Sequence, residues 1–188
     1  MRGRSVLDLG CASGWRRSDW FHRLLSTETR ELVGVDLDAD AVAAATEQGF
    51  DVVVGDAQDL DLGRTFDVVH AGELIEHLDD PRAFLASVRR HLRPDSLLVL
   101  TTPNVFCVTN TLYRLGGRAA IHQDHVCWYC EDTLRHLLER HGFEVVEVRY
   151  LRHETPGRLR SALSRLVRFA LPDRLAWNSL LAVARVSS

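Results

Sequence analysis

The chain has 188 residues, enough for one α/β domain with a sizeable core, and a formal net charge of −3 that argues neither for nor against nucleic acid. All 23 of its basic residues are arginine, which excludes lysine Schiff-base chemistry. Its four cysteines sit in an otherwise cytosolic-looking composition and argue against disulfides, and with no signal-type leader and no apolar run of membrane-spanning length the expectation is a cytoplasmic protein. Charge is uneven: residues 1–94 carry 11 Arg against 17 acids, residues 95–188 carry 12 Arg against 9.

The first predicted element is a strand over residues 6–9. It sits inside the run Ser5-Val6-Leu7-Asp8-Leu9-Gly10-Cys11-Ala12-Ser13-Gly14. Apolar residues climb to an acidic one and small residues follow at once, the pattern of a buried strand turning into a helix around a ligand. Gly10 and Gly14 leave no side chain in the way of a ligand approaching the backbone. A helix is expected over 15–25, then a second strand over 32–36 whose tip, Asp36, can grip the two hydroxyls of a ribose. The glycine spacing decides between cofactors. A dinucleotide fold wants G-x-G-x-x-G, whereas here Gly10 and Gly14 are four apart, with Asp8 just ahead of the turn. A carboxylate beside a pyrophosphate is repelled; beside the amino group or sulfonium of S-adenosylmethionine it is welcome.

Further along, a helix is expected over 38–48 with Gly49 as its stop, a strand over 52–54, and a strand over 66–71. Residues 81–92 predict a helix with Pro81 in its first turn and Phe84, Leu85, Val88 and Leu92 on one face. A fifth strand follows over 97–101, a helix over 133–141 closed by Gly142, and two last strands over 143–150 and 180–186. Such alternation means a mostly parallel, doubly wound sheet. Within residues 158–171 an apolar stripe (Leu159, Leu163, Leu166, Ala170) runs beside Arg158, Arg160, Arg165 and Arg168. It reads as an amphipathic helix inserted between the last two strands, and its basic face leaves open peripheral contact with an anionic membrane.

These motifs resemble the class I S-adenosylmethionine-dependent methyltransferases, the small relatives of the ubiquinone-biosynthesis O-methyltransferases in particular. The resemblance is close over residues 4–150 and loose beyond. It implies a Rossmann-like α/β sheet of seven strands, doubly wound with helices on both faces, the last strand inserted antiparallel. The whole chain 1–188 is then one methyltransferase domain. Residues 1–102 form its cofactor-binding half and residues 103–188 its substrate-side half. Family members usually carry one or two helices before the first strand, which this chain lacks; a more open site or a lid supplied by a partner is the expectation.

The resemblance also implies site residues. Asp8, Gly10 and Gly14 would hold the amino-acid part of S-adenosylmethionine and Asp36 its ribose, with Cys11 and Leu37 as further cofactor contacts. Asp56 and Ala57, in the Gly55-Asp56-Ala57 turn, would contact the adenine, and Ala71 belongs to the cofactor-facing turn after the fourth strand. In the stretch Glu73-Leu74-Ile75-Glu76-His77-Leu78, Glu73 and His77 face the cleft, and His125 lies in a later loop; these three are the candidate catalytic residues. His77 or His125 as general base would favour an oxygen acceptor on a small molecule or glycan. The same Glu73, Glu76, His77 and His125 are similar to the metal ligands of small-RNA 3′-terminal ribose methyltransferases, so a metal-dependent RNA-end enzyme is an alternative. Nucleic acid is otherwise disfavoured, because no concentrated basic surface accompanies that site. A non-catalytic cofactor-fold module serving a partner is the other. His122, His125, Cys127 and Cys130 fall within nine residues and invite a zinc reading, but so short a loop rarely wraps four ligands around one ion. Oligomeric state is not legible.

Overall fold

The computed structural model describes residues 1–115, 117, 123–151 and 171–187. Seven strands form one sheet in the order β3-β2-β1-β4-β5-β7-β6. The strands are β1 (Ser5–Leu9), β2 (Glu31–Asp36), β3 (Val52–Val54), β4 (Phe66–Gly72), β5 (Leu92–Pro103), β6 (Phe143–Leu151) and β7 (Ser179–Val186). The first five run parallel, and β7 is antiparallel to both β5 and β6. This is the doubly wound, mostly parallel seven-stranded arrangement expected, antiparallel insertion included. The reversal of strand order beside β1 opens a crevice at the carboxyl ends of the strands, where open α/β sheets bind ligands.

β1 is central and buried along its whole length, which is why its sequence reads as a continuous apolar run apart from Asp8. Against the sheet pack α1 (Phe21–Ser26), α2 (Ala39–Glu47), α3 (Pro81–Arg90) and α5 (Glu131–Arg140), while α4 (Val108–Leu115) and the short α6 (Asp173–Ala176) pack against each other. The main core joins Phe66, Phe84, Ile75, Leu98, Leu134 and Phe143, all at most 1% exposed. Asp38 and Asp80 cap α2 and α3, each accepting from two backbone N–H groups of the first turn.

Several elements depart from the sequence reading. β5 begins at Leu92, inside the helix expected over 81–92, and the short α6 was not anticipated. The first helix starts at Phe21, six residues later than expected. Gly14 adopts φ +76° and the Trp20 indole donates to the Cys11 carbonyl at 2.6 Å, folding residues 11–20 back as turns. α4 was not anticipated: Val108-Thr109-Asn110-Thr111 is a poor helix former and hides it. α5 begins at Glu131 because the Cys130 N–H donates to the Thr133 hydroxyl at 3.0 Å, so a residue inside the helix covers what Cys130 does not. Residues 158–170 of the expected amphipathic helix lie outside the described residues. Among the described residues, no helix is long and apolar enough to cross a membrane.

Candidate active site

The carboxyl ends of β1, β2 and β4 and the turn after β3 converge on a cavity of about 210 Å³. Gly10, Asp36, Leu37, Asp56 and Ala57 line it together with Gly72, Glu73, Leu74 and His77. Gly10 sits at φ +72°, and a Cβ there would come within 3.1 Å of Leu74, so the close approach of loop and β4 turn needs glycine. Asp36 braces the site: its Oδ2 accepts from the Ala12 N–H at 2.8 Å and its Oδ1 from the Asp38 N–H at 3.0 Å. The tip of β2 is thereby tied to the glycine loop. Asp56 accepts from the Gln58 N–H at 2.8 Å, fixing the turn after β3. Among the described residues the cavity offers carboxylates, apolar surface and the His77 imidazole, and no arginine. Such a lining suits a ribose, an adenine face and a sulfonium, and repels a pyrophosphate.

A second cavity of about 220 Å³ adjoins the first on the side of β7. Glu73 lines both cavities. Its backbone is held at φ +49°, and its N–H donates to the Thr101 carbonyl and hydroxyl. Its carboxylate accepts from the Ser179 hydroxyl at 2.7 Å. His125 lines the second cavity, as do Trp128, Asn110 and Asn178. The rings of His77 and His125 meet edge to face with centroids 4.6 Å apart. His77 Nδ1 lies 3.1 Å from the Asp124 carbonyl. A carbonyl only accepts, so Nδ1 carries the proton, and in the neutral ring Nε2 keeps its lone pair. Residues 75–77 form a single 3₁₀ turn that brings Glu73, Glu76 and His77 to one end of the sheet.

Glu76 is 1% exposed. The Thr102 hydroxyl donates to its Oε2 at 3.0 Å, while its Oε1 is buried with no hydrogen-bond partner. Burial, reinforced by the charge of Glu73, raises its carboxyl to about 7. Glu76, His77 and His125 each offer a ligand atom, and these atoms lie within 4.8 Å of one another.

Over residues 1–148 the chain matches the family model described as a methyltransferase domain. The chain belongs to the class I S-adenosylmethionine-dependent methyltransferase family. A protein of Mycolicibacterium smegmatis named as a probable S-adenosylmethionine-dependent methyltransferase is 31% identical over 146 residues, which are 76% of this chain and 53% of that protein. The ubiquinone biosynthesis O-methyltransferase of a Bradyrhizobium strain is 34% identical over 110 residues, 55% of this chain and 42% of the relative. The methyltransferase solved with the Haloferax volcanii Trm112 methyltransferase activator superposes at a TM-score of 0.71 and 20% identity, covering 100% of this chain and 84% of its own. The chain spans about half the length of the curated relatives it matches.

Within this methyltransferase fold, four residues expected to hold the cofactor do not line the first cavity. Asp8 is 3% exposed, and its two oxygens meet His22 Nδ1 at 2.8 Å and His70 Nδ1 at 2.7 Å. Burial raises its carboxyl, but the two histidines together outweigh this and hold it below the usual carboxylate range. Cys11 turns its thiol into an apolar cluster with Trp20, Val42 and Val52. Ala71 is fully buried one residue before the end of β4, and Gly14 lies outside the cavity lining. His22 and His70 were missed because a buried carboxylate's partners leave no local motif. Asn178, just before β7, and Ser179, its first residue, reach the second cavity and were missed for the same reason.

Proposed function

We propose that the protein is a methyltransferase that moves the methyl group of S-adenosylmethionine to an oxygen of a small-molecule or glycan-type acceptor. One observation carries this reading: Glu73 is shared by the two cavities, with His77 on the side of the first and His125 on the side of the second. S-adenosylmethionine supplies an electrophilic methyl group on a sulfonium. Gly10, Leu37, Asp36 and Asp56 would seat it in the first cavity, where the residues fit it. The acceptor would enter the second cavity. Methyl transfer is an in-line displacement, so much of the acceleration comes from aligning acceptor oxygen and methyl carbon. Transfer would form the acceptor oxygen–carbon bond as the methyl leaves sulfur, and the hydroxyl proton would pass to a histidine. His77 suits that role because the Asp124 carbonyl fixes its Nδ1–H and leaves Nε2 as the base. Glu73, anchored by Ser179, orients the hydroxyl. Calorimetric titration with S-adenosylmethionine, S-adenosylhomocysteine and NAD tests the cofactor: micromolar binding of the first two alone supports the reading, and binding of NAD alone overturns it.

A second reading is favoured by the Glu76, His77 and His125 cluster. Its donor set, two imidazoles and a carboxylate with a buried unpartnered oxygen, fits a divalent cation, and the bond from His77 Nδ1 to a carbonyl is the support that metal-bound imidazoles receive. Such an ion would hold two adjacent hydroxyls, as on a terminal ribose. Repeating the titration with manganese separates the readings. Cofactor-dependent manganese binding that Glu76→Gln abolishes favours the metal site; manganese-independent turnover favours the base.

A further inference from the structure

The second cavity inverts the usual make-up of a ligand pocket. Small-molecule sites are lined mostly by apolar side chains, with a few polar groups to fix orientation. Here Glu73, Asn110, His125, Asn178 and Ser179 are polar, and only Pro103 and Trp128 are not. A phenolic or prenylated acceptor would press carbon against carboxylate and amide groups and strip them of water without replacing its hydrogen bonds. An acceptor carrying hydroxyls around its rim returns those bonds.

Trp128 adds the second half of the argument. Its indole is half-buried in the wall, 6.4 Å from the His125 ring between centroids, and is the broadest aromatic surface among the described lining residues. A saturated ring with hydroxyls at its edge has C–H bonds on its face. Such a ring is amphipathic in the same sense as the cavity, with an apolar face for the indole and a polar edge for the amides.

We propose that this cavity is the acceptor subsite and that it takes a polyhydroxylated saturated ring, a sugar or cyclitol, with Trp128 under its C–H face and one ring hydroxyl at Glu73. The proposal rests on the methyltransferase reading and names the acceptor class for it. Trp128 is then the residue that sets specificity, while Glu73 and the histidines serve the chemistry.

The test is saturation-transfer difference NMR on the full chain with S-adenosylhomocysteine present. The probes are methyl α-D-glucopyranoside, methyl α-D-mannopyranoside, methyl α-L-rhamnopyranoside, myo-inositol and catechol. At least one saturated ring is expected to receive saturation at its ring C–H protons, and catechol none. Trp128→Ala should weaken that ring's binding roughly tenfold, and Trp128→Phe should restore most of it. Silence from all four saturated rings, saturation of catechol alone, or a sugar signal unchanged in Trp128→Ala overturns the proposal. Absence of any signal from S-adenosylhomocysteine itself overturns the methyltransferase reading instead. Circular dichroism of both variants keeps a folding defect from counting as a lost subsite.

Discussion

Ser179 Oγ donates a 2.7 Å hydrogen bond to Glu73 Oε1 across 106 residues of sequence. The same hydroxyl also lies 3.1 Å from the Thr102 carbonyl, so β5, β7 and the turn after β4 are stitched at one point. That point is the boundary between the two cavities. Glu73→Gln keeps the shape and removes the charge; it should lower kcat by roughly 10²-fold, with the dissociation constant of S-adenosylhomocysteine little changed. Ser179→Ala should cost about tenfold in kcat, since a bond to a charged group is lost while the group remains. A variant that instead loses cofactor affinity would place Glu73 among the cofactor contacts. Steady-state kinetics beside calorimetry separates the two.

Asp36 does two jobs at once. Its oxygens hold the Ala12 and Asp38 amides, and it faces the first cavity. Asp36→Ala should therefore loosen the glycine loop and remove the ribose contact together, with a loss of about 10² in affinity for S-adenosylhomocysteine. Near-wild-type binding by a folded Asp36→Ala protein would refute this placement of the ribose.

The pair of histidines on Asp8 makes a stability prediction. Asp8→Asn leaves a buried imidazole without its carboxylate and should destabilise the fold by about 3–5 kcal/mol. In a chain of this size that is roughly 6–20 °C in Tm by differential scanning calorimetry. The acid side follows from the sign of the shift. A carboxyl held below its ordinary range contributes in full above that range and loses the contribution as pH falls through its own lower value. The Asn variant should accordingly lose less stability than wild type on acidification.

Glu76 works in the opposite direction. Raised to about 7, it keeps its proton in the folded chain while an unfolded chain has released it near the ordinary 4.5. Between those values the folded state binds more protons, so stability falls as pH rises, by about 3 kcal/mol across the window. In chelator-treated protein, Tm should drop from pH 5 to pH 8, and Glu76→Gln should flatten that slope and raise Tm at pH 8. Equal slopes in the two proteins would count against the burial argument.

Much of the fold was legible because local signals agreed. The acid-tipped strands ending at Asp8 and Asp36, the Pro81 helix start and the Gly142 stop each marked an element that is there. Legibility failed where long-range contacts decide. Asp8 reads as a ligand group from its place before Gly10, yet His70 arrives from a neighbouring strand and His22 from α1 to claim it. Glu73, His77 and His125 could be named from the sequence, and the structure brings them together. The wall formed by Asn110, Asn178 and Ser179 could not, because it is assembled from α4 and the start of β7, which touch only after folding. Trp128 follows His125 in the same loop, and nothing local says which side of the loop it would face.

Position 73 carries opposed selective demands. Its backbone lies in the left-handed region at φ +49°, a conformation that costs a side-chain-bearing residue about 1–2 kcal/mol and a glycine almost nothing. A chain under selection for thermal resilience alone would drift to glycine there, since the strain would vanish with the side chain. Retaining glutamate forgoes that gain in exchange for a carboxylate at the cavity boundary. Homologues that have abandoned catalysis should therefore be recognisable by glycine or asparagine at this position, and by greater heat resistance.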